Sequence, residues 1–177
     1  EKWEKWLSTK ASHLTEEYLS IKYPANLTDD TIYVAGNVCP DEVLVQAIDD
    51  LKPNQKLVVD NQIIASRQDR VAIGQIGEGC ETIEIKEELV QIERPWHIFK
   101  ENGAQIRLDY DLITQGRKSH KIEDPYTRVY ASHHIFIEEG ATIKDATLNA
   151  ENGPIYIGKN AVIEEGSIIR GPFAICE

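Results

Sequence analysis

Ile137-Glu138-Glu139-Gly140-Ala141-Thr142 is followed at once by Ile143-Lys144-Asp145-Ala146-Thr147-Leu148. After the break Asn149 to Tyr156 the same beat resumes as Ile157-Gly158-Lys159-Asn160-Ala161-Val162, Ile163-Glu164-Glu165-Gly166-Ser167-Ile168, Ile169-Arg170-Gly171-Pro172-Phe173-Ala174 and Ile175. Every hexad opens on isoleucine. Isoleucine supplies 23 of 177 residues, so composition alone does not put it at six prescribed places. A period of six is neither the 3.6 of a helix nor the two of an ordinary strand. The second positions (Glu138, Lys144, Gly158, Glu164, Arg170) suit an outward corner, and the fifth (Ala141, Thr147, Ala161, Ser167, Phe173) are mostly small, as a crowded interior requires. One short strand per hexad makes a triangular coil in which each isoleucine lies over the one below. Burying one such side chain contributes roughly 1.5–3 kcal/mol. Six give on the order of 10 kcal/mol, an upper figure because unfolded chains already hide some surface. The break carries Asn152-Gly153-Pro154 and reads as a short loop extruded from a corner.

Stacked hexapeptide repeats of this kind predict a left-handed parallel β-helix over 131–177. The chain holds no methionine and stops at Glu177 in mid-repeat, so it reads as a fragment of a longer protein. A coil cut in this way has an open edge that favours association.

Working outward, the composition excludes several function classes. A formal net charge of -11 and a pI near 4.9 oppose binding to phosphate backbones and anionic lipid, which depends on Lys and Arg releasing counterions. Neither nucleic acid nor a membrane is expected as a partner. No apolar run approaches a membrane span and the first residues are unlike a signal peptide, which makes the cytoplasm the expected compartment. Cys39, Cys80 and Cys176 are odd in number, widely spaced and without CxxC, and read as small buried residues rather than disulfide or zinc ligands. The Asn26-Leu27-Thr28 sequon has no secretory context.

The front half has a different rhythm. Trp3, Trp6 and Leu7 make the apolar stripe of a short helix, and Ser12 to Leu14 suggests a strand start. Thr15 is placed to cap a second helix that ends before Pro24. Thr31 to Ala35 is a strand running into Gly36-Asn37. Pro40 is expected to open a helix carrying Leu44, Ala47, Ile48 and Leu51 on one face. Lys56 to Val59 and Gln62 to Ala65 form a hairpin across Asp60-Asn61, and Thr82 to Ile85 is one more strand. Strands alternating with helices predict an α/β layer with a parallel sheet. Pro95 opens a further helix that Asn102-Gly103 should end, with helical spacing resuming at Ile106, Tyr110 and Ile113. The expected organisation is a partial α/β domain with a helical arm over 1–114, a polar connector over 115–130, and the coil over 131–177.

Glu4-Lys5-Trp6, Tyr33 to Pro40, Arg94 to Phe99, Asn102-Gly103, Ile106-Arg107, Asp109 to Ile113 and the hexads together resemble the GlmU-like sugar nucleotidylyltransferases. These are relatives of glucose-1-phosphate thymidylyltransferases and N-acetylglucosamine-1-phosphate uridylyltransferases. The resemblance covers nearly the whole chain. It implies a Rossmann-like layer followed by the β-helix, a homotrimer through the coil, and transfer of a nucleotidyl group from a nucleoside triphosphate to a sugar 1-phosphate with Mg2+. In that family a Gly-Asp pair ends a strand and its aspartate holds the metal; here the matching pair is Gly36-Asn37, and an amide brings no negative charge. The family's glycine-rich loop with Arg and Lys has no counterpart in this chain, which is therefore expected to be inactive by itself.

The remaining candidates rest on side-chain chemistry. Arg94 and Arg107 are candidate phosphate ligands because guanidinium pairs bidentately with phosphate, and each could equally answer a neighbouring carboxylate. Asp109 and Asp111 offer the oxygen ligands Mg2+ prefers, although residues two apart on a helix point to different faces. Arg117-Lys118-Ser119-His120-Lys121 is the one basic cluster and reads as a solvated linker. His133 and His134 would face opposite ways in a strand. Acyl transfer to an amino sugar from acetyl-CoA, and a non-catalytic scaffold that binds sugar nucleotides, are the alternatives to nucleotidyl transfer.

Overall fold

The computed structural model describes residues 2–176. The chain forms two compact units that divide between Arg94 and Pro95.

The first unit contains helices α1 (Lys2–Trp6), α2 (Glu17–Ser20) and α3 (Glu42–Asp49) and strands β1 (Thr31–Val34), β2 (Gln55–Val59), β3 (Gln62–Gln68) and β4 (Glu81–Glu84). The sheet order is β1-β3-β2-β4. β3 is antiparallel to both its neighbours, and β2 runs parallel to β4. The sheet is thus mixed where the alternation of elements suggested a parallel layer. The reason is local: Asp60 and Asn61 have φ of 47° and 64°, the left-handed pair of a tight hairpin turn, which forces β2 and β3 antiparallel. Leu44 and Ile48 of α3, with Leu51, Leu57, Val59, Ile64, Ala65 and Val38, form the core, and Trp3 and Leu7 pack on it.

Two helix starts and one strand differ from the sequence reading. Asp41 is the N-cap of α3, its carboxylate accepting from Leu44 N at 2.8 Å, so Pro40 lies outside the helix. α2 starts at Glu17 after an N-cap, Glu16, that makes no side-chain bond. Thr15 does not cap it, and its hydroxyl is buried without a partner. Ser12 to Leu14 is not a strand.

The second unit begins with α4 (Pro95–Thr114), one continuous helix that runs through Asn102-Gly103. Gly103 does not end it because its role is packing: a Cβ there would come within 3.3 Å of Pro172. α4 packs against β12, with Tyr110 buried. Gly116, at φ 70°, provides the left-handed residue that ends such a helix.

Eight short strands follow: β5 (Arg128–Tyr130), β6 (Ile135–Ile137), β7 (Thr142–Ile143), β8 (Thr147–Asn149), β9 (Ile155–Ile157), β10 (Val162–Ile163), β11 (Ile168–Arg170) and β12 (Phe173–Ile175). They form three parallel sheets, β6-β9-β12, β5-β8-β11 and β7-β10. Every pairing joins a strand to the third strand after it. Ile137 is in register with Ile157 and Ile157 with Ile175; Ile143 pairs with Ile163 and Leu148 with Ile169. All six hexad isoleucines belong to one apolar cluster or pack against it. The break is the end of β8, a turn over Glu151–Gly153, and the start of β9.

The sequence 115–130 contributes more than a connector. β5 lies within it, Ser119 Oγ accepts from Ile137 N, and His120 N donates to Ile137 O. The basic cluster therefore runs along the edge of β6, while Arg117, Lys118, His120 and Lys121 stay exposed. None of the three cysteines is in a disulfide, and they are not buried as the sequence suggested: Cys39 and Cys80 are half-buried and Cys176 is exposed. Among the described residues no helix is long and apolar enough to cross a membrane.

Candidate functional site

β1 delivers Gly36 and Asn37 at its C-terminal end, and the strip from Asn37 to Cys39 is held by its backbone along both edges. On one edge the segment Val90 to Ile92 lies antiparallel, with Val38 opposite Gln91. Ile92 N donates to Asn37 O at 2.7 Å and Cys39 N to Val90 O at 2.9 Å. On the other edge Val38 N donates to Ala35 O at 3.2 Å, and Val38 O accepts from the Trp3 indole Nε1 at 3.2 Å. Val38 is 3% exposed, so both of its backbone groups need these partners. Asn37 itself is exposed.

Gly36 has no structural need to be glycine. Its φ is not positive, and a Cβ there would meet nothing within 4 Å. The missing side chain leaves an open backbone edge beside Asn37, the arrangement that lets a ligand approach the main chain closely. Gly74 has equal space but lies in a 3-10 turn away from any strand end. Arg94 is exposed and follows the pinned Ile92 by two residues, at most about 7 Å along the chain. The structure thus groups Gly36, Asn37 and Arg94 within one unit.

Arg107, Asp109 and Asp111 lie in the other unit, on α4. Arg107 is engaged: Nη1 donates to Gly103 O at 3.0 Å and Nη2 to Asn152 O at 2.7 Å. It braces the helix against the turn between β8 and β9, and its partners in these bonds are backbone carbonyls, not the neighbouring carboxylate the sequence suggested. Asp109 is half-buried and Asp111 exposed, on different faces. No group of three or more His, Cys, Asp or Glu suited to a metal ion occurs among the described residues. The amide at residue 37 brings no negative charge to a Mg2+, which prefers carboxylate oxygen.

The second unit carries a polar cluster that only long-range packing assembles. Phe136 and Tyr156 occupy adjacent register positions and stack at 6.0 Å. Arg117 lies 5.1 Å over the Phe136 ring and pairs with Glu138 at 2.6 Å, and Tyr156 Oη donates to Glu138 Oε1 at 2.6 Å. Burial raises the Glu138 pKa, but the bonds from Tyr156 and Arg117 outweigh it and hold the carboxyl below its ordinary value. Burial, then the Glu138 carboxylate, push the Tyr156 phenol up. His133 and His134 sit on a 3-10 turn, not a strand, with rings 4.2 Å apart and exposed.

Two features escaped the sequence reading. Gln68, buried in β3, accepts at Oε1 from Ser66 Oγ, from Gly77 N at 2.6 Å and from Cys80 Sγ at 3.3 Å, latching the loop before β4 to the sheet. Trp3 was read only as packing surface. Its indole N–H, a donor that wants a partner when buried, was the available signal.

Residues 1–118 match the model of a family described as sugar nucleotidyl transferase. No curated protein matches the chain.

Proposed function

The chain belongs to the sugar nucleotidyl transferase family, and on that premise we propose that it is the sugar-phosphate part of a sugar-1-phosphate nucleotidylyltransferase, with the substrate held at Gly36, Asn37 and Arg94. In that reaction a phosphate oxygen of the sugar 1-phosphate attacks the α-phosphorus of a nucleoside triphosphate. One P–O bond forms, the bond to the β-phosphate bridge breaks, and pyrophosphate leaves. The observation that carries the proposal is the pinned strip itself: a rigid backbone at a strand end, an open edge at Gly36 and an exposed amide at Asn37. Rigid presentation of this kind converts binding energy into orientation. The Asn37 amide serves as donor and acceptor for sugar hydroxyls or phosphate, and Arg94 answers phosphate charge. Asn37 supplies no charge to a Mg2+, and no step is routed through a metal here. With a neutral amide where the family has a carboxylate, the chain alone binds sugar phosphate without turning it over.

The C-terminal coil in this reading is a left-handed β-helix of hexapeptide repeats through which three chains associate; the register of Ile137, Ile157 and Ile175 supports it. The same coil keeps acyl transfer and a sugar-nucleotide scaffold in view. Calorimetry of the full chain with glucose 1-phosphate, N-acetylglucosamine 1-phosphate, UTP, dTTP and acetyl-CoA separates the three. Binding of a sugar 1-phosphate that Asn37→Ala weakens at least tenfold is the expected result. Binding of acetyl-CoA alone would overturn the proposal, and release of pyrophosphate by this chain would overturn the claim that it does not turn over.

A further inference from the structure

Asn37 O, both backbone groups of Val38 and Cys39 N all have hydrogen-bond partners, and one of the partners is a side chain from α1. Val38 faces Gln91 as a pair without mutual hydrogen bonds: the flanking Asn37 O and Cys39 N bond to Ile92 N and Val90 O. The N–H and C=O of Val38 therefore point away from that segment. Ala35 O takes the first, and the Trp3 indole takes the second. α1 supplies Trp3 in the right place because Trp3 and Leu7 fall one turn apart and both pack on the first unit's core. A tryptophan does two things that phenylalanine or leucine cannot do together: it fills an apolar site and donates one N–H.

Resting on the reading of Gly36 and Asn37 given above, we propose that Trp3 is a positioning residue, whose N–H bond to the Val38 carbonyl sets the orientation in which Asn37 meets a sugar 1-phosphate. The bond fixes the peptide plane that follows Val38. Together with the Ile92 bond to Asn37 O it clamps the strip from both sides, so the Asn37 side chain leaves a backbone with little freedom. Without the indole donor, a carbonyl of a nearly fully buried residue has no partner, and the strip shifts to find one.

The test compares Trp3→Phe, which keeps the ring packing and removes the donor, with Asn37→Ala in the full chain, using glucose 1-phosphate and N-acetylglucosamine 1-phosphate as probes. Trp3→Phe is expected to weaken binding of the accepted sugar phosphate about fivefold, in line with one lost hydrogen bond. Amide hydrogen exchange at Val38 and Cys39 should rise about tenfold while Leu57 and Ile64 in the sheet stay unchanged. If Asn37→Ala loses binding and Trp3→Phe does not, the positioning role is wrong and the substrate site stands. If neither sugar phosphate binds the unsubstituted chain, the substrate site is wrong. Unchanged exchange at Val38 and Cys39 overturns the clamp in either case. A rise spread evenly over the first unit would make Trp3 merely structural, and also overturns it.

Discussion

Ile157 and Ile168 are the same residue type in adjoining hexads, and they should respond oppositely to truncation. Ile157 is 0% exposed and stands between Ile137 and Ile175 in one ladder, whereas Ile168 is 73% exposed and pairs with Thr147 on an outward face. Ile157→Ala removes three buried carbons, about 2.4 kcal/mol at 0.8 kcal/mol each. The cavity left between two flanking coils adds to this, giving a total of about 2–5 kcal/mol. Ile168→Ala should fall within about 0.5 kcal/mol of zero. With two compact units in one chain, a global melting curve would mix their transitions. Native-state hydrogen exchange on peptides spanning residues 135–175 isolates the coil. Protection there should drop by tens to thousands of fold in Ile157→Ala and by no more than about twofold in Ile168→Ala. Equal losses would refute the claim that the hexad isoleucines, and not apolar content in general, hold the stack together.

Glu138→Gln removes the anionic acceptor of Arg117 and Tyr156; allowing for the exposure of Arg117, the expected cost is about 1–2 kcal/mol. Since the Glu138 pKa is lowered in the folded state, its contribution is complete above the ordinary glutamate value of about 4.3 and disappears as pH falls through the lowered one. Exchange protection of the same coil peptides, followed from pH 7 to pH 3 and corrected for intrinsic exchange rates, should therefore show a shallower acid decline in Glu138→Gln. Gly171→Ala and Gly36→Ala form a second contrast, because a Cβ at residue 171 runs into the Gly153 carbonyl and one at residue 36 meets nothing within 4 Å. The first should lower hydrogen-exchange protection of the coil. The second should leave protection of the first unit's sheet unchanged while weakening sugar 1-phosphate binding in calorimetry.

What could be read from sequence depended on whether the signal was local. The isoleucine recurrence was legible because each hexad states its own inward residue, and stacking only repeats the statement. The hairpin across Asp60-Asn61 was legible because two residues that tolerate positive φ sat between two apolar runs. The continuity of α4 was not. Asn102-Gly103 is a reasonable stop signal taken alone, and only the approach of Pro172 shows why glycine is there. Arg107 is a similar case, since nothing near it in the chain announces the Asn152 carbonyl that engages it. The basic cluster at Arg117 looked solvated because its carboxylate, Glu138, occupies a corner position where an exposed charge is ordinary. At the site, Gly36-Asn37 was legible as a strand-end pair, while the clamp was not, because its partners come from the first turn of the chain and from an irregular segment beside β1.

The electrostatics of the site argue for local recognition. A chain of net charge -11 repels a sugar phosphate at a distance, but physiological salt screens that repulsion beyond about 8 Å. Within that range the groups that matter are those beside the strip, and there an amide at residue 37, where the sequence resemblance implies a carboxylate, has a positive side. A carboxylate at residue 37 without a metal would oppose the phosphate directly, at a cost that rises as water is excluded. Asn37 removes that opposition and leaves Arg94 as the nearby charge of the candidate set. On the proposed function, a site built in this way would gain binding of a monoanionic or dianionic sugar phosphate at the expense of the negative charge that would recruit a metal for turnover. Rigid backbone, a neutral amide and one guanidinium would then carry recognition, and the chemistry of transfer would fall to other groups.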